Sequence, residues 1–236
     1  MSAKAHAFAH GSKGRLTARD GGRFAARTLF DRIGRAVCEA GCLPRKELYE
    51  AWEVARRVRR LCRGGRVVDL AGGHGLLAQI MLLLDDTSSS AIVVDKKVPS
   101  SATRLHDALA RVWPRLAGRV TFLESDFSDI DIAPTDVVVS SHACGALTDY
   151  VLDRAADARA VVAVLPCCHD TDSCDAGALA GWVDAALAID VMRAVRLEQR
   201  GYRVRTQTIP AAITPKNRLL IGTLDPKIRP APSLAT

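Results

Sequence analysis

Six residues of metal-ligand type lie in the second half of the chain: His142, Cys144, Cys167, Cys168, His169 and Cys174. Most belong to two short runs, His142-x-Cys144-Gly145-x-x-Thr148-Asp149 and Cys167-Cys168-His169. Neighbouring cysteines rarely close on one tetrahedral ion. No Cys-x-x-Cys occurs here, so no metal is expected. Seven cysteines without a paired framework read as reduced thiols of an intracellular protein. A different chemistry resides earlier, in Arg66-Val67-Val68-Asp69-Leu70-Ala71-Gly72-Gly73-His74-Gly75-Leu76-Leu77-Ala78. An apolar run, a cluster of small residues and an apolar helical pattern spell a strand, a tight turn and a helix start. Glycines let a ligand lie against the backbone, and the helix start aims free N–H groups at it.

Those groups need a scaffold. Leu29, Ile33 and Val37 recur at helical spacing over 28–40, and Gly41 supplies a stop. Pro44 opens a second helix to about residue 62, with Leu48, Trp52, Ala55 and Val58 on one face. After the first strand, helices are expected over 76–84, from a cap at Ser100 or Ser101 to Trp113, from the 142–149 run to about 156, and over 179–197. Strands are expected over 91–95, 120–123, 136–141, 160–165, 202–209 and 217–224; with no helix between the last two, they should be antiparallel. Open α/β sheets bind ligands at the carboxyl ends of their strands. Asp69, Asp95, Asp126, His142 and the Cys167-Cys168-His169 run all fall at such ends.

Charge is uneven. Residues 1–66 hold 16 Lys and Arg against 6 Asp and Glu, a net of +10, while the rest of the chain has a net of −3. Arg56, Arg57, Arg59, Arg60 and Arg63 crowd the end of the second helix. Concentrated positive charge is the footprint of a nucleic-acid partner, and a solvated helix face is the alternative. Residues 1–22 lack apolar periodicity and are expected to be a disordered basic tail; a mitochondrial transit peptide has the same composition. No apolar run reaches the ~20 residues needed to span a bilayer. An intracellular, cytoplasmic protein without a membrane partner is expected, and the oligomeric state stays open.

Gly73-x-Gly75-x-x-Ala78 with Asp95 downstream fits a dinucleotide fingerprint, but Asp69 at the end of the first strand would repel a pyrophosphate. It would suit a ligand with an ammonium group, and S-adenosylmethionine has one, plus a sulfonium and no phosphate. Here the chain resembles the class I methyltransferases, whose first motif is an acid followed by a glycine-rich turn; Ala71 stands where that family usually has its first glycine. The resemblance implies a Rossmann-like α/β fold: a mostly parallel seven-stranded sheet ending in an antiparallel pair and preceded by two helices. Residues 23–65 would be a basic helical appendage, 66–224 the methyltransferase domain and 225–236 a flexible tail. The cofactor would be held by Asp69, Ala71, Gly72, Gly73, Gly75, Asp95, Lys96, Asp126, Phe127 and Ser141. Asp95 would bond the ribose hydroxyls, Asp126 the adenine amino group, and Phe127 would lie near the ring.

The two later runs are more distinctive than the turn. They resemble a methyltransferase subfamily that includes methyltransferase-like proteins, a methyltransferase domain fused to a glutathione-S-transferase-like domain, and the eukaryotic enzyme that 2′-O-methylates the tRNA acceptor stem. The zinc motifs of the tRNA enzyme are missing, since Cys38 and Cys42 lack companion histidines. In this fold class His142 would stand beside the sulfonium methyl as general base or positioning group. Cys144 and Cys168 also resemble the thiol pair of cytosine-C5 RNA methyltransferases, one attacking the base and the other releasing it. His169 joins them as a catalytic candidate, and Cys167 is expected to be a buried apolar filler. Methyl transfer to RNA is the reading, with a protein or small-molecule acceptor, or a non-catalytic RNA-binding assembly factor, as alternatives.

Overall fold

The computed structural model describes residues 8–224. Seven strands form one sheet: β1 (Val67–Leu70), β2 (Ala91–Asp95), β3 (Val120–Glu124), β4 (Val137–Ser140), β5 (Val161–Val164), β6 (Tyr202–Thr208) and β7 (Arg218–Leu224). Their order is β3-β2-β1-β4-β5-β7-β6. β1 to β5 pair in parallel, and β7 pairs antiparallel with both β5 and β6, as expected. Asp95 lies opposite Glu124, and Ser140 opposite Val164, so the carboxyl ends of the strands line one edge.

The apolar runs of β1, β4 and β5 feed two cores, because successive side chains of a strand face opposite ways. Val67, Val137, Val139 and Ala163 join the core under α1 (Leu29–Ala40), α2 (Arg45–Leu61), α3 (Leu76–Leu84) and α4 (Ala102–Val112). Val68, Leu70, Val138, Val162 and Val164 join the core on the opposite face, with α5 (Ala146–Asp157) and α6 (Ala185–Gln199). Thr28 caps α1 by accepting from the Asp31 N–H, and Gly41 ends it at a φ of 62°.

The structure departs from the expected domain layout at the N-terminus. α1 and α2 share the core of the sheet instead of forming an appendage. Residues 8–16 are seated against the start of α2, and the 3-10 turn Ala18–Arg23 packs on α1. Pro44 at the N-cap offers no side-chain acceptor, so the first turn of α2 takes backbone partners: Arg45 N donates to the Gly14 carbonyl and Lys46 N to the Ser12 carbonyl, both at 3.0 Å. Leu16 is buried and donates to the Leu43 carbonyl, and His10 stacks on Tyr49. Unpaired helix donors thus hold a stretch that has no periodicity of its own. Residues 1–7 and 225–236 lie outside the described residues.

Two helix starts also differ. Ser101 precedes α4 without capping it; its hydroxyl bonds the His74 ring instead. α6 begins only after Asp184, whose carboxylate accepts from the Leu187 N–H, while Gly177–Gly181 form a separate 3-10 turn. A local side-chain cap sets that boundary, and apolar periodicity does not register it. Among the described residues, no helix is long and apolar enough to cross a membrane.

Candidate active site

The turn after β1 is built by close approach. Gly75 opens α3 at a φ of 68°, and a Cβ there would stand 2.7 Å from the Val93 side chain, so only glycine lets the helix start this near the sheet. Gly73 N donates 3.0 Å to one Asp95 oxygen, and a Cβ on Gly73 would face open space. Ala71 adopts a φ of 56°, the left-handed conformation that the usual glycine takes without strain. Asp69 lies beneath the turn, 1% exposed. Its Oδ2 accepts from Ala78 N at 3.3 Å, and its buried Oδ1 has no hydrogen-bond partner. Burial pushes its pKa up to about 7; the Ala78 N–H opposes this and the Asp95 charge adds to it.

Opposite the turn, the end of β4 brings Ser141 and His142 to the same narrow cleft, which Leu43, Glu47 and Ala51 wall from α2 and the loop before it. His142 is open to solvent on one side and crowded by protein on the others. Crowding, then the positive charge of Lys46, hold its pKa below the ordinary histidine value, against the pull of Asp95. Its ring is therefore neutral at pH 7 and able to accept a proton. Glu47 is pushed up to about 6 by burial and by Glu50, with Lys46 opposing. Glu47 and His74 were not foreseen as site residues. His74 sits within the glycine turn, where the variable position gave the only signal; Glu47 gave none, because nothing in α2 announces that it walls the cleft.

The loops after β4 and β5 are tied together. Gly145 N donates to the Cys168 carbonyl at 3.3 Å, and Thr148 Oγ1 to the Ala143 carbonyl at 2.7 Å. Beneath them Arg193, 0% exposed, donates to the Gly145 carbonyl and pairs with Asp149 and Asp190. The Asp149 carboxyl is held below its usual range by Arg193 and Arg196, which outweigh its burial. Cys144 and Cys168 are exposed, and Cys167 is half-buried with its Sγ 3.0 Å from that of Cys144, so it is more than core filler.

Two expected site residues, His169 and Phe127, are placed elsewhere, while Asp126 stays exposed just after β3. His169 has a side chain only 3% exposed and bonds Asp190 at 2.8 Å, so it braces the loop and cannot reach an acceptor. Phe127 is buried in the core beside α5, which makes its ring a packing group. Asp126 caps a short turn, with Ser128 N and Oγ both donating to its Oδ1. Lys96 is exposed beside it at the end of β2. The arginines of the basic segment also divide. α2 is about 25 Å long at 1.5 Å per residue, and it runs from the cleft at Glu47 to the opposite edge of the sheet. Arg59, 3% exposed, is locked there by Asp85, Ser88 and the Met81 carbonyl. Arg57 pairs with Glu53.

A family model described as a methyltransferase domain matches residues 46–172, more than half of the chain. The chain belongs to that methyltransferase family. The match begins in α2, in keeping with the shared core. A Drosophila melanogaster protein named glutathione S-transferase C-terminal domain-containing protein homolog is 26% identical, over 82% of this chain and 40% of its own length. Its Drosophila pseudoobscura pseudoobscura counterpart is 26% identical over 67% and 33%. This methyltransferase thus spans well under half the length of those relatives. Among solved structures, an O-methyltransferase family protein from Burkholderia thailandensis is 21% identical, covers 90% of this chain and 65% of its own, and superposes with a TM-score of 0.51. The B. subtilis tRNA methyltransferase TrmK is 13% identical, with 73% and 66% covered and a TM-score of 0.50. Both likenesses are of fold.

The protein is a class I methyltransferase with S-adenosylmethionine as cofactor. Its residues fit that cofactor. The unpartnered, buried Asp69 oxygen lacks a donor that an ammonium group carries, and the open face of Gly73 beside Asp95 leaves backbone exposed for an adenosine. A cavity of about 550 Å³ between α6 and the β6–β7 ribbon is lined mainly by apolar side chains such as Val191 and Val195 and lies away from the glycine turn.

Proposed function

We propose that this methyltransferase methylates RNA, with His142 accepting the proton of the acceptor hydroxyl or nitrogen. Asp69 takes the ammonium group of the cofactor, the Ala71–Gly75 turn its backbone contacts, and Asp95 its ribose hydroxyls. Asp126 offers an oxygen to the adenine amino group, Lys96 flanks it, and Ser141 walls the cleft near the methyl. Bound S-adenosylmethionine supplies an electrophilic methyl group on its sulfonium. The chain's contribution is to orient the acceptor and remove its proton, and a neutral His142 suits the second task at pH 7. Glu47 shares the cleft as a second proton acceptor.

The observation that carries the RNA reading is the charge around the cleft. Lys46 acts on His142, and exposed Arg15 and Arg104 act on His74. Arg15 and Arg104 lie near His74, and Lys46, paired with Glu50 at 3.0 Å, lies near His142, whereas Arg59 at the far end of α2 is buried on Asp85. The His142–Asp149 and Cys167–His169 runs support the subfamily that includes the tRNA acceptor-stem 2′-O-methyltransferase. The name of the Drosophila relatives agrees with the branch fused to a glutathione-S-transferase-like domain.

The test is transfer of labelled methyl from S-adenosylmethionine into extracted RNA and into protein. RNA should take the label, and binding to RNA should weaken as salt rises, because counterions are released. Arg15→Gln with Arg104→Gln should flatten that salt slope by about two charges. Label in protein alone would move the acceptor. Cofactor binding without transfer to either would favour an assembly factor that keeps the fold.

A further inference from the structure

Cys144, Cys167 and Cys168 come from two loops, yet their sulfurs all lie within 4.8 Å of one another. Cys144 Sγ is 3.0 Å from Cys167 Sγ, which is 3.8 Å from Cys168 Sγ. Sulfurs bound tetrahedrally to zinc at about 2.3 Å stand about 3.8 Å apart. The trio already has close to that spacing, and the adjustment needed is a side-chain rotation of exposed Cys144. The objection from sequence was that neighbouring cysteines seldom share an ion. It loses force when the third sulfur arrives from the loop after β4 and all three sulfurs lie within 4.8 Å of one another.

We propose that Cys144, Cys167 and Cys168 form a three-thiolate site for one zinc ion at the mouth of the cleft, with water in the fourth position. The donor set is all sulfur, which selects soft d10 cations over magnesium or calcium. The scaffold is rigid: Gly145 N holds the Cys168 carbonyl, Arg193 holds the Gly145 carbonyl, and His169 is fixed on Asp190. Such support keeps ligands in place before the ion arrives. Binding would displace the thiol protons, so affinity should rise with pH. The ion would join the loops after β4 and β5 beside His142. The inference rests on sulfur geometry and does not depend on the identity of the acceptor.

The experiment is titration of the full reduced chain with Zn²⁺ against a chromophoric chelator, and with Co²⁺ followed by thiolate-to-metal charge-transfer absorption. One ion per chain is expected. Cys144→Ser and Cys168→Ser replace exposed side chains, and each should weaken Zn²⁺ binding more than about 100-fold, beyond the loss typical of an outer partner. Cys38→Ala, in the core under α1, should leave affinity unchanged. Melting curves establish that each variant is folded. Absence of charge-transfer absorption, or unchanged affinity in folded Cys144→Ser, would overturn the site. So would a Cys144–Cys167 disulfide that persists in reductant and excludes the ion.

Discussion

Replacing Asp69 by Asn should separate the stability of this methyltransferase from its cofactor affinity. The Asp69 carboxyl titrates near 3.8 in an unfolded chain and is pushed up to about 7 in the folded one. Between those values the folded protein keeps a proton that the unfolded chain has lost. Stability is therefore full below about pH 4 and falls as pH rises to about 7. At about 1.36 kcal/mol per decade, the climb corresponds to roughly 4 kcal/mol, and relaxation around a buried charge reduces it to about 2. Asn keeps an oxygen for Ala78 N and carries no charge, so Asp69→Asn should be about 2 kcal/mol more stable at pH 8 and nearly equal to wild type at pH 4. For a chain of this size that is a melting-temperature gain of about 4–8 °C at pH 8. The same change removes the partner for an ammonium group, a bond worth about 1.5–3 kcal/mol, so S-adenosylhomocysteine should bind at least tenfold more weakly by calorimetry. A melting temperature that drops equally at both pH values, with unchanged affinity, would refute the reasoning.

Asp95→Ala should cost at least about tenfold in S-adenosylhomocysteine affinity, since a charged acceptor for two hydroxyls is lost; equal affinity by calorimetry would remove Asp95 from the site. His142→Ala should lower turnover by about 10²–10⁴. Turnover of the wild type should fall as pH drops through the depressed His142 value, and Glu47→Gln should remove any inflection near pH 6, both read from kcat against pH. Ala71→Gly should change stability by less than about 1 kcal/mol: relief of about 1–2 kcal/mol of strain is offset by one lost buried methyl and a more flexible unfolded chain. Ala71→Val, branched at a positive φ, should destabilise by more than about 1 kcal/mol in chemical denaturation.

Much of the fold was legible because strands buried on both faces are written as short, mostly apolar runs, and a chain break made of Gly72, Gly73 and Gly75 admits few structures. What escaped depends on direction in space. Cys168 and His169 are neighbours of the same chemical class, yet one is exposed and the other is bonded to Asp190 in the interior. Arg59 and Arg60 read identically as basic, but successive helical positions are turned by about 100°, so Arg59 meets Asp85 inside while Arg60 faces solvent. Counting arginines therefore overstated the charge available to a partner at that end of α2. The opposite end was understated for a related reason. A helix that starts without a side-chain cap draws the Ser12–Gly14 segment onto itself, and with it Arg15 is brought beside Pro44. The placement of Arg15 thus arises from backbone donors seeking partners, a requirement that acts across thirty residues of sequence and leaves no periodic trace.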